Sequence, residues 1–241
     1  ERYIMSGSES TSERGSVVEP AVQKQLSFYG DALLRYRDAL ASYGGKIRLT
    51  GPREPEILWR EHILDCLCSV PFLPGKGAVL DVGSGGGLPG LVWAICRPDL
   101  EVTLLDSVRK KCGALDDMAR ELGLSNVRVV WSRCEEYALK ARESFSFAGA
   151  RAVASAGVLL EYLSPLVSVG GDILAMKGPL YADELEPLEG KWNRLGVSSP
   201  SLVPYDVEEK HLFLILWKKN APCPSRFPRK AGMAEKINWW R

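Results

Sequence analysis

The sequence predicts an α/β fold: a mostly parallel seven-stranded sheet with helices on both faces, entered through an N-terminal helical cap. Three observations predict it. From residue 78 onward, short apolar runs of strand length alternate with longer segments of helical spacing, the pattern of a parallel sheet whose crossovers are helices. The first run ends in a dense cluster, Gly83, Gly85, Gly86, Gly87 and Gly90, where a strand turns into a helix. The last two runs have no clear helical segment between them, which predicts an antiparallel closing pair.

The elements follow in order. Residues 1–16 are rich in Ser, Glu and Gly and are expected to be disordered, with Met5 the expected natural start. Residues 20–42 carry Val22, Leu26, Tyr29, Leu33, Leu34, Tyr36 and Leu40 at helical spacing, and Gly44-Gly45 stops that helix. Residues 54–70 form a second helical segment with Ile57, Leu58, His62, Ile63 and Leu67. Strands are expected at 78–82, 102–105, 127–131, 147–153 and 172–176, and helices at 88–96, 107–122, 155–167 and 181–194. Residues 197–203 and 211–217 read as the closing strands. The organisation expected is an extension at 1–16, a helical cap at 17–75, the sheet domain at 76–218 and a basic tail at 219–241.

Composition narrows the class. With 46% hydrophobic and 25% charged residues the chain reads as soluble and globular, and no apolar run approaches the roughly 20 residues of a membrane helix. Six cysteines without a C-x-x-C pair, and two histidines, give no zinc pattern. No metal is expected, the cysteines read as small core residues, and a reducing cytoplasm is the expected setting. Between Lys218 and Arg241 seven basic residues face one acid, Glu235, although the whole chain is only +1. Such a tail can contact phosphates or simply be solvated.

The stretch Asp81-Val82-Gly83-Ser84-Gly85-Gly86-Gly87-Leu88-Pro89-Gly90 is the most informative. Glycines there let backbone turn tightly and approach a nucleotide-like ligand. Gly85, Gly87 and Gly90 formally match a dinucleotide fingerprint, so NAD must be weighed. Asp81 argues against it: a carboxylate is awkward beside a pyrophosphate and suits the cationic methionine end of S-adenosylmethionine. Asp106, ending the second strand, can accept both ribose hydroxyls, or merely cap the next helix. After the third strand, Ser132-Arg133-Cys134-Glu135-Glu136 can hold an adenine edge, or start a helix facing solvent.

These residues resemble the RsmG (GidB) family of small-subunit ribosomal RNA guanine-N7 methyltransferases. The marks are Leu49-Thr50, Trp59-Arg60-Glu61-His62-Ile63-Leu64-Asp65, the loop through Gly87-Leu88-Pro89-Gly90, Arg97-Pro98, Leu104-Leu105-Asp106-Ser107, Ser132 to Glu136, Arg151-Ala152, Lys177-Gly178 and Phe227-Pro228-Arg229-Lys230-Ala231-Gly232. The resemblance implies a Rossmann-like class I methyltransferase that uses S-adenosylmethionine to methylate 16S ribosomal RNA of the small subunit at guanine 527, in the 530 loop. It implies a cofactor set of Asp81, Gly83, Gly85, Gly87, Leu88, Asp106, Ser107, Cys134, Glu135 and Arg151. It implies that Arg151, Lys177 and His62 serve the reaction, with Asp65 near the mouth. Departures from the family's usual residues are Arg48, Cys66, Ala150 and Gly86. Partners are 16S RNA or the small ribosomal subunit, with no membrane and no metal, and a monomer is expected.

Guanine N7 carries a lone pair and no proton, so placement and electrostatics suffice and no base is required. Arg151 can donate to a phosphate or to O6, or sit in an ion pair with Asp106 or Glu135. Lys177 can meet substrate or end its strand in solvent, and His62 can be a core histidine satisfied by Asp65. His211 reads as structural. Trp239 and Trp240 can stack on bases or pack at the terminus. Arg48, Arg53 and Arg60 with the tail would bind phosphates. Rival readings are a methyltransferase for a different acceptor, an NAD(P) oxidoreductase, and a non-enzymatic RNA-binding protein that kept the fold.

Overall fold

The computed structural model describes residues 11–45, 47–51 and 53–241. Seven strands, β1 (Gly77–Val82), β2 (Leu100–Asp106), β3 (Val127–Trp131), β4 (Phe145–Arg151), β5 (Val167–Lys177), β6 (Ser201–Val207) and β7 (Lys210–Lys218), form one sheet in the order β3-β2-β1-β4-β5-β7-β6. β1 to β5 run parallel, while β7 is antiparallel to both β5 and β6. The order reverses between β1 and β4. That reversal opens a crevice at the carboxyl ends of the two strands, where ligands bind in sheets of this kind.

The strands are buried on both faces because successive side chains point to opposite sides. Val79, Leu104, Phe147 and Leu174 meet one cluster, with α1 (Thr11–Gly44), α4 (Gly90–Cys96) and α5 (Arg109–Glu121). Leu80, Leu105, Ala148 and Ala175 meet the other, with α6 (Cys134–Ala138), α7 (Ala156–Leu163) and the C-terminal segment. All six cysteines are free and buried, small apolar fillers as expected. Among the described residues no helix is long and apolar enough to cross a membrane.

Several boundaries differ from the sequence reading, each for a physical reason. Residues 1–10 of the expected disordered extension lie outside the described residues, but α1 is helical from Thr11, with Pro20 inside it rather than at its start. The helix expected at 54–70 is segmented: α2 (Pro55–Leu58), a π-helical turn (Trp59–Ile63), α3 (Leu64–Leu67) and a 3₁₀ turn (Val70–Phe72). The helix expected at 155–167 stops at Leu163, ahead of Pro165, and β5 already starts at Val167. The one expected at 181–194 survives only as α8 (Tyr181–Leu185), because Pro187 and Gly190 break it into 3₁₀ turns. The sixth strand is not at 197–203. Val197 makes only an isolated bridge to Lys219, and β6 starts at Ser201 and runs through Pro204. An edge strand tolerates that missing donor.

The segment after β7 is docked on the domain, and part of the basic stretch is spent on ion pairs or buried, while Arg226, Lys230, Lys236 and Arg241 stay exposed. Arg229 pairs with Glu161, whose side chain is almost fully buried, Lys219 is itself buried, and Lys218 reaches Asp172. Trp239 donates its indole N–H to the Gly157 carbonyl at 2.7 Å, so this tryptophan packs rather than waiting for a base. A short helix, α9 (Met233–Lys236), lies in this segment.

Candidate active site

The glycine loop is held from two directions. From below, Asp81 accepts the Gly90 N–H at 3.0 Å and its backbone carbonyl takes the Ser84 hydroxyl. A side chain at Gly90 would lie 2.2 Å from Leu104 and 2.7 Å from the Asp81 carboxylate, so only glycine lets α4 seat here. Burial pushes the Asp81 carboxyl up to about 7, and its second oxygen has no partner. Asp81 sits beneath the loop, fully buried, and does not line the pocket described next. From the cap side, the Tyr36 hydroxyl donates to the Gly86 carbonyl at 2.9 Å. A Cβ on Gly86 would meet the tip of the Leu40 side chain at 2.7 Å and Thr50 at 3.2 Å, so the cap packs directly on the loop here.

One pocket opens over the ends of β1, β2 and β3. Its walls include Gly83, Asp106, Ser107, Cys134 and Glu135, together with Val153, Tyr162 and Glu235. Gly83, at φ +71°, keeps clear a space in which a Cβ would come within 2.6 Å of Val153. Asp106 does two jobs: its oxygens accept the Gly85 N–H at 2.9 Å and the Val108 N–H at 2.8 Å. The second closes an Asx turn just ahead of α5, whose N-cap, Val108, has no side-chain capping bond, and the carboxylate still faces the pocket. Glu135 accepts the Gly232 N–H at 2.9 Å. The Cys134 thiol, pushed up by burial, donates weakly to the Tyr162 carbonyl. Gly85, Gly87 and Leu88 shape the loop without lining this pocket, and Leu88 is a core residue.

A second pocket opens over β4, β5 and β7, lined by Glu61, His62, Asp65, Arg151, Ala152, Met176, Lys177, Gly178, Tyr205, Lys210 and Leu212. Arg151 belongs here and not with the first pocket. Its ion pair is with Asp65 at 2.7 Å, rather than with Asp106 or Glu135. Asp65 takes the Tyr205 hydroxyl on its other oxygen at 2.6 Å, so it is not the partner of His62. Instead the Arg151 guanidinium, which can only donate, contacts His62 Nδ1 at 2.5 Å. Burial, then Arg151, holds His62 down at about 4. The ring is neutral at pH 7, and its proton is on Nε2, a buried atom without a partner. The π-helical turn is what carries Glu61 and His62 to this wall, and such turns recur at functional sites.

The other cations here are also paired. Lys177 donates to the Ala154 carbonyl and to Glu184, both at 2.6 Å, and Lys210 reaches Glu61 at 2.5 Å. The two pockets meet at one loop. Arg151 and Ala152 line the second and Val153 the first, with Ala152 at a left-handed φ of 55°. A non-glycine residue there carries strain of the kind found at functional turns.

The sequence reading missed Val153, Tyr162 and Glu235 in the first pocket and Tyr205 and Lys210 in the second. Tyr162, Glu235, Tyr205 and Lys210 come in through chain crossings far apart in sequence that no local spacing announces, while Val153 follows Arg151 by two positions. Ala150 is buried in the core and lines neither pocket. Arg60 is committed to Glu208, and His211 to Asp206 at 2.6 Å on the surface.

A sheet of this order, with a glycine loop at its switch point, defines a Rossmann-like methyltransferase fold. A solved Corynebacterium glutamicum protein shares the fold at a TM-score of 0.52 and 16% identity, covering 77% of this chain and 90% of that one. The family model for rRNA small subunit methyltransferase G matches residues 30–213. Proteins named ribosomal RNA small subunit methyltransferase G are 39% identical in Clostridium perfringens (83% of this chain, 87% of that one) and 40% in Rubrobacter xylanophilus (90% and 84%). The chain belongs to the rRNA small subunit methyltransferase G family.

Proposed function

We propose that this enzyme transfers the methyl group of S-adenosylmethionine to N7 of a guanine in 16S ribosomal RNA, nucleotide 527 in the 530 loop of the small subunit. The observation that carries the choice of acceptor is the pairing in the second pocket: Arg151, Lys177 and Lys210 each have a carboxylate partner. A neutral nitrogen gains positive charge as it is methylated, and a bare cation beside it would raise the barrier. An anionic acceptor would favour the opposite arrangement.

The first pocket fits the cofactor. An adenosine offers an exocyclic amine and two hydroxyls as donors, and Asp106, Glu135 and Glu235 present acceptors there. In this reading Gly83, Ser107 and Cys134 shape that wall, while Asp81, Gly85, Gly87 and Leu88 support it from behind. When bound, the cofactor supplies an electrophilic methyl group. The protein's residues position and screen. Arg151, fixed by Asp65, offers an N–H to O6 or a phosphate, and Lys177 braces the loop through Ala154. His62 is no base for the acceptor: Nδ1 is engaged by Arg151, and Nε2 holds the proton. Guanine N7 needs none, because it carries no hydrogen.

The test is transfer of labelled methyl from S-adenosylmethionine to 30S subunits and naked 16S RNA lacking the native modification, mapped by N7-specific strand cleavage. Label at a single guanine in the 530 loop is the expected result. Transfer to another atom or nucleotide, with cofactor bound, would move the search to a different acceptor.

A further inference from the structure

The segment after β7 does more than close the chain. It is fastened at three points. Arg229 donates from its backbone N–H and its guanidinium to Glu161, which is 1% exposed. Trp239 bonds to the Gly157 carbonyl, and Trp240 packs where a Cβ on Gly157 would come within 2.4 Å. Gly232 donates to Glu135, on the pocket wall. The strap so fixed brings Glu235 to the rim of the first pocket, facing Asp106 and Glu135 from outside the sheet.

Two carboxylates then flank the hydroxyl of Tyr162, which donates to Glu235 at 3.2 Å. They are not equivalent. Glu135 is buried and commits one oxygen to the strap. Glu235 is exposed at the rim, with one oxygen on Tyr162 and the other engaged by no described residue. Asp106, at the end of β2, faces the place of the ribose. The β3 end with α7 forms the far side, where the base would lie. A carboxylate only accepts, and adenine's exocyclic amine only donates.

We propose that Glu235, delivered by the C-terminal strap, accepts a hydrogen bond from the exocyclic amine of the cofactor's adenine and thereby selects a 6-amino over a 6-oxo purine. This rests on the first pocket being the cofactor site. The strap is thus part of the binding site, and cofactor affinity depends on its docking.

The experiment is calorimetric titration of the full chain with S-adenosylhomocysteine and with its 6-oxo (inosine) counterpart, for wild type, Glu235→Gln and Glu235→Ala. Circular dichroism and thermal melts check the fold of each variant. Wild type should prefer the amino form by roughly tenfold or more, since a charged hydrogen bond is replaced by oxygen facing oxygen. Glu235→Gln, whose amide can both accept and donate, should bring the two probes within about threefold of each other, and Glu235→Ala should do the same with weaker binding of the amino form. An unchanged preference in both variants overturns the proposal, and so does an equal loss for both probes, which would make Glu235 only a fastener of the strap. If wild type binds neither probe, the cofactor reading itself fails, and this inference falls with it.

Discussion

The two pockets sit side by side along one end of the sheet and are built on opposite electrostatic plans. Over β1 to β3, carboxylates line the wall and retain capacity toward a ligand: Asp106, Glu135 and Glu235. Over β4, β5 and β7, each cation already holds a carboxylate. The first plan suits a ligand rich in donors. The second suits a neutral acceptor that turns cationic during reaction. One short loop, 151–153, lies between them, with Ala152 at a left-handed φ of 55°.

The sharpest way to break this comparison is to unpair the second pocket. Arg151→Ala leaves the buried Asp65 carboxylate with Tyr205 but no cation. We expect a loss of about 3–5 kcal/mol in stability, read by urea unfolding. Methyl transfer should fall at least roughly a hundredfold, while cofactor affinity stays within about threefold because Arg151 lines only the other pocket. A large loss of cofactor affinity in folded protein would merge the two pockets into one. Asp106→Ala is the converse test. It removes one carboxylate of the first pocket and the tie to Gly85 together, so calorimetry should show cofactor binding weakened by roughly tenfold to a hundredfold.

Acidity separates the regions more gently. His62 has a folded pKa of about 4, below its ordinary 6.5, so the unfolded chain takes up the extra proton. Its contribution to stability is present above about 6.5 and is lost as pH falls toward about 4. Asp81 is opposite: raised from 3.8 to about 7, it favours the folded state at low pH and loses that contribution as pH rises through about 7. Denaturation from pH 4 to 8 should therefore show His62→Asn gaining on wild type as pH falls and Asp81→Asn gaining as pH rises. The smallest effect is expected at Arg60, which an exposed ion pair ties to Glu208. Arg60→Ala should leave the melting temperature and the KM for RNA unchanged within scatter.

What the residues alone disclose follows the same division. The first pocket is local: strand, glycine loop and a carboxylate at the next strand end lie within one stretch, so Gly83, Asp106 and Glu135 could be found by spacing. The second is assembled from the cap, β4, β5 and β7. The resemblance placed Arg151, Lys177 and His62 there, but their partners are set by tertiary contacts. Asp65 reaches Arg151 across 86 positions and Tyr205 across 140, and no periodicity carries that. Asp81 is only half legible for a related reason. Its position beside the loop is visible in sequence, whereas its burial beneath the loop depends on Leu104 and Gly90 closing over it. The parallel strands were recognisable from their apolar runs. β6 was misplaced because its proline looks like a stop until the strand is seen to be an edge.

The central claim is that the second pocket takes a nitrogen acceptor carrying no proton and supplies no base. The most direct measurement is the single-turnover rate of methyl transfer to 30S subunits, at saturating cofactor and RNA, between pH 6.5 and 8.5. The account predicts a rate that stays flat across this window, because His62 is neutral throughout and no proton leaves the acceptor before transfer. A tenfold rise per pH unit would show that a proton must be removed first, and would contradict it.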